Sequence, residues 1–287
     1  MHEFELIYQN YLNKLKFKNQ ITKSYEVEIN KLFPYYEHYL FDGFGTLYTD
    51  DKVFQDAVNL ISHLRTLKKE VRLVTNAASR TRLELADKLL KIGIPFHPNE
   101  IISSGSLLAN LNRPKKFNQV FHIGRASGLK VLAEAKIEHF ECPKEPIVVM
   151  TGMPEVGMSD SMMSKLINLL SKPNAQLILL NPDVIAPSEN GIIRVAGYWA
   201  QKLHEKTSCN LIYLGKPFPL IFEKAIYSLF PKKGSSLMIG DSLWTDIVGA
   251  QSFGIDCALL NRGISKEYGS ENNSEIRANY YLKNLKF

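Results

Sequence analysis

The sequence has few cysteines and no pattern that would join them. Cys142, Cys209 and Cys257 are the three cysteines among its 287 residues, and no two of them stand in a CxxC pair. This usage argues against a disulfide framework and against a structural zinc site, and it fits a reducing cytoplasm. The seven histidines show neither HxxxH nor HExxH spacing, so none is assigned to a metal.

Long apolar runs and clustered basic charge are also missing. An apolar stretch such as 177–180 is far too short to span a bilayer, so we expect no membrane partner. The formal net charge is +6, but the excess lies in scattered lysine pairs rather than on one face with interleaved aromatic residues. A nucleic-acid partner is therefore not expected, although a mild positive field would help to recruit an anionic substrate.

The sequence does contain short apolar runs that alternate with amphipathic helical patterns. Runs typical of buried strands lie at 39–41, 71–74, 101–102, 120–123, 147–150, 177–180, 211–214, 237–239 and 257–260. Strands that alternate with helices predict an α/β fold with a doubly wound, mainly parallel sheet. A chain of 287 residues is long enough for two domains of ordinary size.

Carboxylate, hydroxyl, amide and ammonium side chains follow several of these apolar runs. They are Asp42, Thr75, Asn76, Lys216, Asp241 and Asp246. Each has an ordinary alternative, such as a turn, a helix cap or a surface lysine. Together, at the carboxyl ends of parallel strands, they form a coherent set for covalent phosphoryl transfer. That reaction needs an attacking carboxylate, a Mg²⁺ ion held by oxygen ligands, and fixed donors for the phosphoryl oxygens.

Four segments resemble the motifs of the haloacid dehalogenase-like superfamily. FDGFGTLY resembles the first motif, normally DxDGT, VRLVTNAASRT is similar to the second, and LGKPFPLIFEKA to the third. MIGDSLWTDIVGAQSFGI matches the GDxxxTDIxGAxxxG form of the fourth motif, which is typical of the class IIA branch. That branch includes nitrophenyl-phosphatase-like and nucleotidase-like enzymes. The resemblance runs from about Tyr39 to Gly263.

The resemblance also implies a domain plan. It implies a Rossmann-like core at 37–114 and 210–287, a smaller α/β cap of the C2 type at 115–209, and an N-terminal helical extension at 1–36. Asn181-Pro182-Asp183 resembles the NPD signature of that cap, although the same three residues also favour a simple turn. Capped relatives often dimerise through the cap, and the sequence leaves the oligomeric state open.

The resemblance assigns the metal site residue by residue. Asp42 would be both the nucleophile and a ligand of Mg²⁺. The backbone carbonyl of Phe44 and the carboxylate of Asp241 would be further ligands. Asp246 would reach the ion through water or turn towards Lys216.

The resemblance also assigns the groups that hold the substrate. Thr75, the Asn76 amide and Lys216 would hold the phosphoryl oxygens, and Thr75 and Lys216 would act in catalysis beside the nucleophile. Asn181 and Asp183, in the cap, would contact the rest of the substrate and contribute to its choice.

One position departs from the family pattern. The family has an aspartate two residues after the nucleophile, which protonates the leaving group and then activates water, but this chain has Phe44 there. General acid–base catalysis is typically worth roughly 10²–10⁴-fold in rate, so the loss is large.

Three functions remain open at this point. The leading hypothesis is a Mg²⁺-dependent phosphatase of a small phosphorylated metabolite, which works through an aspartyl-phosphate on Asp42 with reduced turnover. The second is a phosphate-ligand-binding or regulatory protein with little catalysis. The third is a 2-haloacid dehalogenase, although the caps of those enzymes are usually inserted just after the first motif.

Overall fold

A computed structural model describes residues 3–49, 52–188, 191–227, 235–268 and 276–287. Its strands, in chain order, are β1 (Tyr25–Glu26), β2 (His38–Phe41), β3 (Tyr48–Thr49), β4 (Lys52–Val53), β5 (Glu70–Thr75), β6 (Ile101–Ser103), β7 (Gln119–Ile123), β8 (Glu138–His139), β9 (Ile147–Met150), β10 (Gln176–Leu179), β11 (Ile185–Ser188), β12 (Gly191–Arg194), β13 (Asn210–Tyr213), β14 (Ser236–Gly240), β15 (Asp256–Leu260) and β16 (Tyr280–Leu282). Its α-helices are α1 (Glu3–Leu15), α2 (Gln55–Thr66), α3 (Arg82–Lys91), α4 (Leu108–Leu111), α5 (Gly128–Glu134), α6 (Asp160–Leu170), α7 (Ala196–Thr207), α8 (Pro219–Tyr227), α9 (Val248–Phe253) and α10 (Gly263–Tyr268).

The chain divides into two compact units. The first unit comprises Met1–Gln9, Asn76–Thr81 and Ser103–Gly215, and the second comprises Asn10–Thr75, Arg82–Ile102 and Lys216–Phe287. Because each unit is assembled from separate stretches, the chain passes between them several times.

The second unit is built on a seven-stranded sheet in the order β1-β16-β15-β14-β2-β5-β6. The neighbours from β1 to β5 in that order pair in parallel. Every residue of β2 and β14 is buried, as are four of the five residues of β15. Continuous burial along a strand is typical of a parallel sheet that is covered on both faces, which is why these strands appear in the sequence as unbroken apolar runs.

The first unit is built on a five-stranded sheet in the order β13-β10-β9-β7-β8, with all neighbours parallel. Its core joins the apolar side chains of the central strands to those of α6 and α7, including Val148, Leu177, Leu166 and Leu203. Helix α6 begins at the N-cap Ser159, whose hydroxyl accepts a hydrogen bond from the backbone N–H of Met162 at 3.2 Å. An antiparallel hairpin of β11 and β12 precedes α7.

These two sheets confirm the predicted fold class, a doubly wound and mainly parallel α/β sheet with a second, smaller α/β unit. Within the described part of the chain, no helix is both long enough and apolar enough to cross a membrane.

The structure differs from the predicted domain plan at several places. Residues 76–81 and 103–114, which the plan assigned to the core, belong to the first unit. We expected the core to resume at residue 210, but β13 pairs in parallel with β10 of the first unit, with Leu211 opposite Leu177. An apolar run reveals that a strand exists, but it does not reveal which sheet receives it. The chain leaves the first unit only after Gly215.

The region predicted as a separate N-terminal extension, 1–36, is shared between the units. Helix α1 begins in the first unit, and its residues from Asn10 onward belong to the second. In the second unit, the ring of Tyr11 packs edge-on against that of Phe218, with 5.3 Å between the centroids. The helical pattern was therefore correct, but the helix is part of both units rather than an appendage.

Candidate active site

The site begins at the carboxyl ends of three neighbouring strands of the second unit. Asp42 directly follows β2, Thr75 is the last residue of β5, and Asp241 directly follows β14. The strands lie in the order β14-β2-β5 and run in parallel, so their carboxyl ends share one edge of the sheet. The backbone N–H of Asp42 donates to the carbonyl of Ile239 at 2.9 Å, which extends the ladder to the nucleophile position.

A buried lysine joins two of the carboxylates. The Lys216 ammonium, only 2% exposed, donates to Asp42 Oδ1 and to Asp246 Oδ1, the latter at 2.7 Å. Burial opposes the charge of this ammonium, but the carboxylates of Asp246 and Asp42 outweigh burial and raise the pKa of Lys216 above its ordinary value. The lysine therefore stays protonated at any physiological pH.

Three buried carboxylates meet at this point. Asp42, Asp241 and Asp246 each offer an oxygen, and these oxygens lie within 4.8 Å of one another. One ammonium cannot balance three carboxylates. Burial, followed by repulsion from Asp42 and Asp246, raises the pKa of Asp241 well above its ordinary value.

Burial also disfavours the charged form of Asp246, although to a smaller degree. Burial, partly offset by Lys216, raises the pKa of Asp246 to about 7. A cluster of hard oxygen donors with uncompensated negative charge fits a divalent cation such as Mg²⁺, which would supply the missing positive charge.

The side chain of Asp241 is held by two donors that sequence reasoning missed. The hydroxyl of Thr46 donates to Asp241 Oδ1 at 3.2 Å, and the backbone N–H of Ile264 donates to Oδ2 at 2.8 Å. Thr46 lies in the FDGFGTLY motif and could have been identified there, whereas a backbone amide leaves no signal in a sequence.

Two glycines let the backbone come close to Asp241. Gly45 and Gly263 have φ of +91° and +54°, and a Cβ built on them would lie 2.4 Å and 2.1 Å from Asp241 Oδ2. Only glycine combines this backbone conformation with such a close approach. Both residues therefore shape the space around the carboxylate.

Asp246 is fixed by the turn on which it lies. It belongs to a short π-helical turn, Leu243–Ile247, whose N-cap Ser242 accepts a hydrogen bond from the N–H of Thr245 at 3.3 Å. The backbone N–H of Ser242 donates in return to Asp246 Oδ2 at 3.1 Å. One oxygen of Asp246 is thus held by the backbone, and the other faces Lys216.

The loop that carries Phe44 is ordered without help from a carboxylate at that position. The N–H groups of Gly45, Leu47 and Tyr48 donate to carbonyls of the same loop, and the Phe44 ring packs edge-on against Tyr48, with 6.1 Å between centroids. The guanidinium of Arg262 donates to the carbonyl of Thr46 at 3.2 Å and also pairs with Asp56. Arg262, which sequence reasoning missed, therefore links this loop to helix α2.

The other residues assigned to the substrate lie in the first unit. The Asn76 side-chain amide donates to Asp183 Oδ1 at 2.8 Å, and the backbone N–H of Asp183 donates to Asn181 Oδ1 at 2.9 Å. The NPD segment thus forms an Asx turn, as its composition predicts, and the structure brings Asn76, Asn181 and Asp183 together. Thr75, the residue before Asn76, is the last one assigned to the second unit in this stretch.

Comparison with known proteins identifies related sequences over most of the chain. Residues 39–138 match the model of haloacid dehalogenase-like hydrolases, and residues 213–286 match a second, HAD-hydrolase-like model. The 5'-nucleotidase YutF of Bacillus subtilis is 28% identical over 235 residues, which cover 80% of this chain and 89% of that protein. An acid sugar phosphatase of Staphylococcus epidermidis is 27% identical over 257 residues, which cover 88% of this chain and 96% of that protein.

A solved structure shares the fold. The 4-nitrophenylphosphatase of Thermotoga maritima superposes with a TM-score of 0.78 at 24% identity, covering 88% of this chain and 96% of that one. The chain therefore belongs to the haloacid dehalogenase-like hydrolases, as its motifs predicted. We call its second unit, which carries Asp42, the core, and its first unit the cap.

The charge imbalance predicts how stability depends on pH in metal-free protein. Because folding raises the pKa of Asp241 well above 3.8 and that of Asp246 from 3.8 to about 7, the native state holds protons in this range that the unfolded state has released. Stability is therefore highest at the acidic end of the window and falls as pH rises through it.

We expect Asp241→Asn to reduce this fall in stability. The amide cannot ionise, its oxygen can accept from Ile264, and its nitrogen can donate to Thr46. Unfolding by urea in EDTA, from about pH 5 to about pH 8, measures the effect. An Asp241→Asn protein that lost as much stability as the wild type across that range would contradict the electrostatic account.

Proposed function

We propose that this chain is a Mg²⁺-dependent phosphatase of a small phosphorylated metabolite and works through an aspartyl-phosphate on Asp42. The buried cluster of Asp42, Asp241 and Asp246 around Lys216 is the observation that carries the proposal. The names of its relatives, a 5'-nucleotidase and an acid sugar phosphatase, support the same reaction class.

The carboxylate of Asp42 is arranged for attack. Among the described residues, Lys216 alone donates a side-chain hydrogen bond to Asp42, and it does so at Oδ1. In the proposed first step, Oδ2 attacks phosphorus, the Oδ2–P bond forms, and the bond from phosphorus to the leaving oxygen breaks. Water then cleaves the acyl phosphate and restores the carboxylate.

The remaining roles follow from the donor set. Asp42, Asp241 and the Phe44 carbonyl would hold Mg²⁺, which neutralises charge on the phosphoryl group. Thr75, Asn76 and Lys216 would hold the phosphoryl oxygens, and each offers an N–H or O–H donor. In the cap, Asn181 and Asp183 would contact the part of the substrate beyond the phosphate.

Phe44 limits both steps of the reaction. Its side chain has no proton to give to the leaving oxygen and cannot take one from the attacking water. The proposed substrates are therefore phosphates whose leaving groups are stable as anions, such as phenols or carboxylates, and turnover is slow. The same observation favours the second candidate, a protein that binds a phosphorylated ligand and signals its presence. The second candidate predicts that phosphate compounds and Mg²⁺ raise the Tm of the protein without any turnover, whereas the first predicts turnover.

Replacing the nucleophile tests the proposal directly. We expect the wild type to hydrolyse 4-nitrophenyl phosphate with Mg²⁺, and Asp42→Asn to lose at least about 10³-fold in kcat because an amide oxygen is a poor nucleophile. Asp87→Asn, which changes an exposed aspartate of α3, is the matched control and should keep wild-type rates. If the wild type hydrolyses no member of a broad panel of phosphate monoesters, the proposal fails.

Restoring the missing carboxylate tests the role of Phe44. We expect Phe44→Asp to raise kcat, up to roughly the 10²–10⁴-fold that a positioned acid–base group supplies. The wild type, mixed with acetyl phosphate and Mg²⁺, should accumulate a phosphoryl adduct on Asp42 by intact mass spectrometry, and Phe44→Asp should not. Asparagine has the shape of aspartate but no titratable proton, so an equal gain in kcat in Phe44→Asn would rule out the acid–base explanation.

A pair of glycine variants tests the cation site without measuring turnover. Gly263→Ala and Gly254→Ala both place a side chain at positive φ, but only at Gly263 would the new Cβ meet Asp241, whereas nothing lies within 4 Å at Gly254. We expect Gly254→Ala to lose roughly 1 kcal/mol of stability from backbone strain, and Gly263→Ala to lose more because its Cβ also displaces Asp241. Mg²⁺ should raise the Tm of the wild type and of Gly254→Ala, but not that of Gly263→Ala. Equal Mg²⁺ stabilisation of the two variants would contradict a site at Asp241.

A further inference from the structure

The turn that carries Asp183 has every backbone group of Asp183 and Val184 satisfied. The N–H of Asp183 donates to Asn181 Oδ1, and its carbonyl accepts from the N–H of Gly197 at 2.9 Å. The carbonyl of Val184 accepts from the N–H of Val195, also at 2.9 Å. These three hydrogen bonds come from the cap segment itself.

The fourth hydrogen bond comes from the N-terminal helix. The backbone N–H of Val184 donates to the phenolic oxygen of Tyr8 at 3.2 Å, and this contact is buried. Tyr8 is only 2% exposed, and its neighbour Ile7 is equally buried. A buried N–H without a partner is costly, so Tyr8 completes the set that holds the turn in one conformation.

Helix α1 also contacts helix α7, which supports the turn. Glu3 Oε2 accepts from the hydroxyl of Tyr198 at 2.8 Å, and Glu3 Oε1 pairs with the ammonium of Lys202, also at 2.8 Å. Both partners lie on α7, whose residue Gly197 donates to the carbonyl of Asp183. The N-terminal helix therefore supports the turn twice, directly through Tyr8 and indirectly through α7.

Neither family model reaches this helix, since the matched residues are 39–138 and 213–286. The support that Tyr8 gives to the turn thus comes from a segment outside the matched hydrolase sequence.

We propose that Tyr8 is a positioning residue for substrate selection, and that it fixes the Asn181–Val184 turn so that Asp183 is presented in one orientation. This inference rests on the proposed phosphatase function. Tyr8 acts through the turn, which it reaches at the backbone N–H of Val184. A change at Tyr8 should therefore affect recognition of the leaving group and spare recognition of inorganic phosphate.

Two tyrosine variants of the full-length chain separate positioning from general stabilisation. Tyr8→Phe removes the acceptor for Val184 and keeps the buried ring. Tyr36→Phe is the matched control, since Tyr36 is also buried and its hydroxyl is hydrogen-bonded, to Asp256 Oδ2 at 2.6 Å and to the Tyr280 hydroxyl at 3.1 Å. Asp256 is the first residue of β15, so this bond lies at the amino end of its strand, away from the strand ends that carry the site.

We expect Tyr8→Phe to raise KM for 4-nitrophenyl phosphate about three- to tenfold, the effect of weakening one buried hydrogen bond. Its kcat and its inhibition constant for inorganic phosphate should stay at wild-type values. Tyr36→Phe should lower Tm without changing KM. A wild-type KM in Tyr8→Phe, or an equal KM change in both variants, would overturn the inference.

Hydrogen–deuterium exchange gives a second measurement that does not depend on turnover. Amide exchange of a peptide that spans 181–184 should be faster in Tyr8→Phe than in the wild type, and unchanged in Tyr36→Phe. If the wild type shows no phosphatase activity, the proposed function fails, and the exchange data alone decide whether Tyr8 holds the turn. Unchanged exchange in Tyr8→Phe would overturn that role as well.

Discussion

The structure depends on an imbalance of buried charge at one edge of the core sheet. Three aspartates and one lysine are removed from water together, and the single ammonium of Lys216 lies between Asp42 and Asp246. Burying ions is costly unless each is paired and hydrogen-bonded, so the surrounding loops supply hydrogen-bond donors to the carboxylates. Thr46, Ser242 and the amide of Ile264 all donate to carboxylate oxygens of this group. The remaining negative charge is what a bound cation would neutralise.

The sequence was informative where a simple rule relates a sequence pattern to a position in the fold. Apolar runs located the strands, and the rule that ligands bind at the carboxyl ends of parallel strands linked Asp42, Thr75 and Asp241 before any coordinates were known. It was uninformative where partners are chosen by tertiary contact. The run at β13 was placed in the wrong sheet, and helix α7 was not anticipated. Ile264 acts through its backbone N–H, which has no signature in residue type. Arg262 acts through its guanidinium, whose partners Thr46 and Asp56 are more than 200 residues away in the sequence.

The loop around Phe44 shows that geometry and acid–base chemistry can be separated. Gly45 allows the backbone to approach Asp241 closely, and Thr46 donates a hydrogen bond to the Asp241 carboxylate. Arg262 connects the loop to helix α2. None of these contacts uses the side chain at position 44. The arrangement of the charge cluster therefore does not depend on these contacts being made by the side chain at position 44.

The contact between Tyr8 and Val184 also has a consequence for how the chain is made. The two residues are 176 positions apart. Helix α1 therefore leaves the ribosome well before its polar partner in the cap, which is synthesised 176 residues later. During that interval its buried face, with Ile7 and Tyr8, stays exposed to solvent and to other proteins. Closing a loop of this length is slow, and docking of the N-terminal helix is thus a late event in folding.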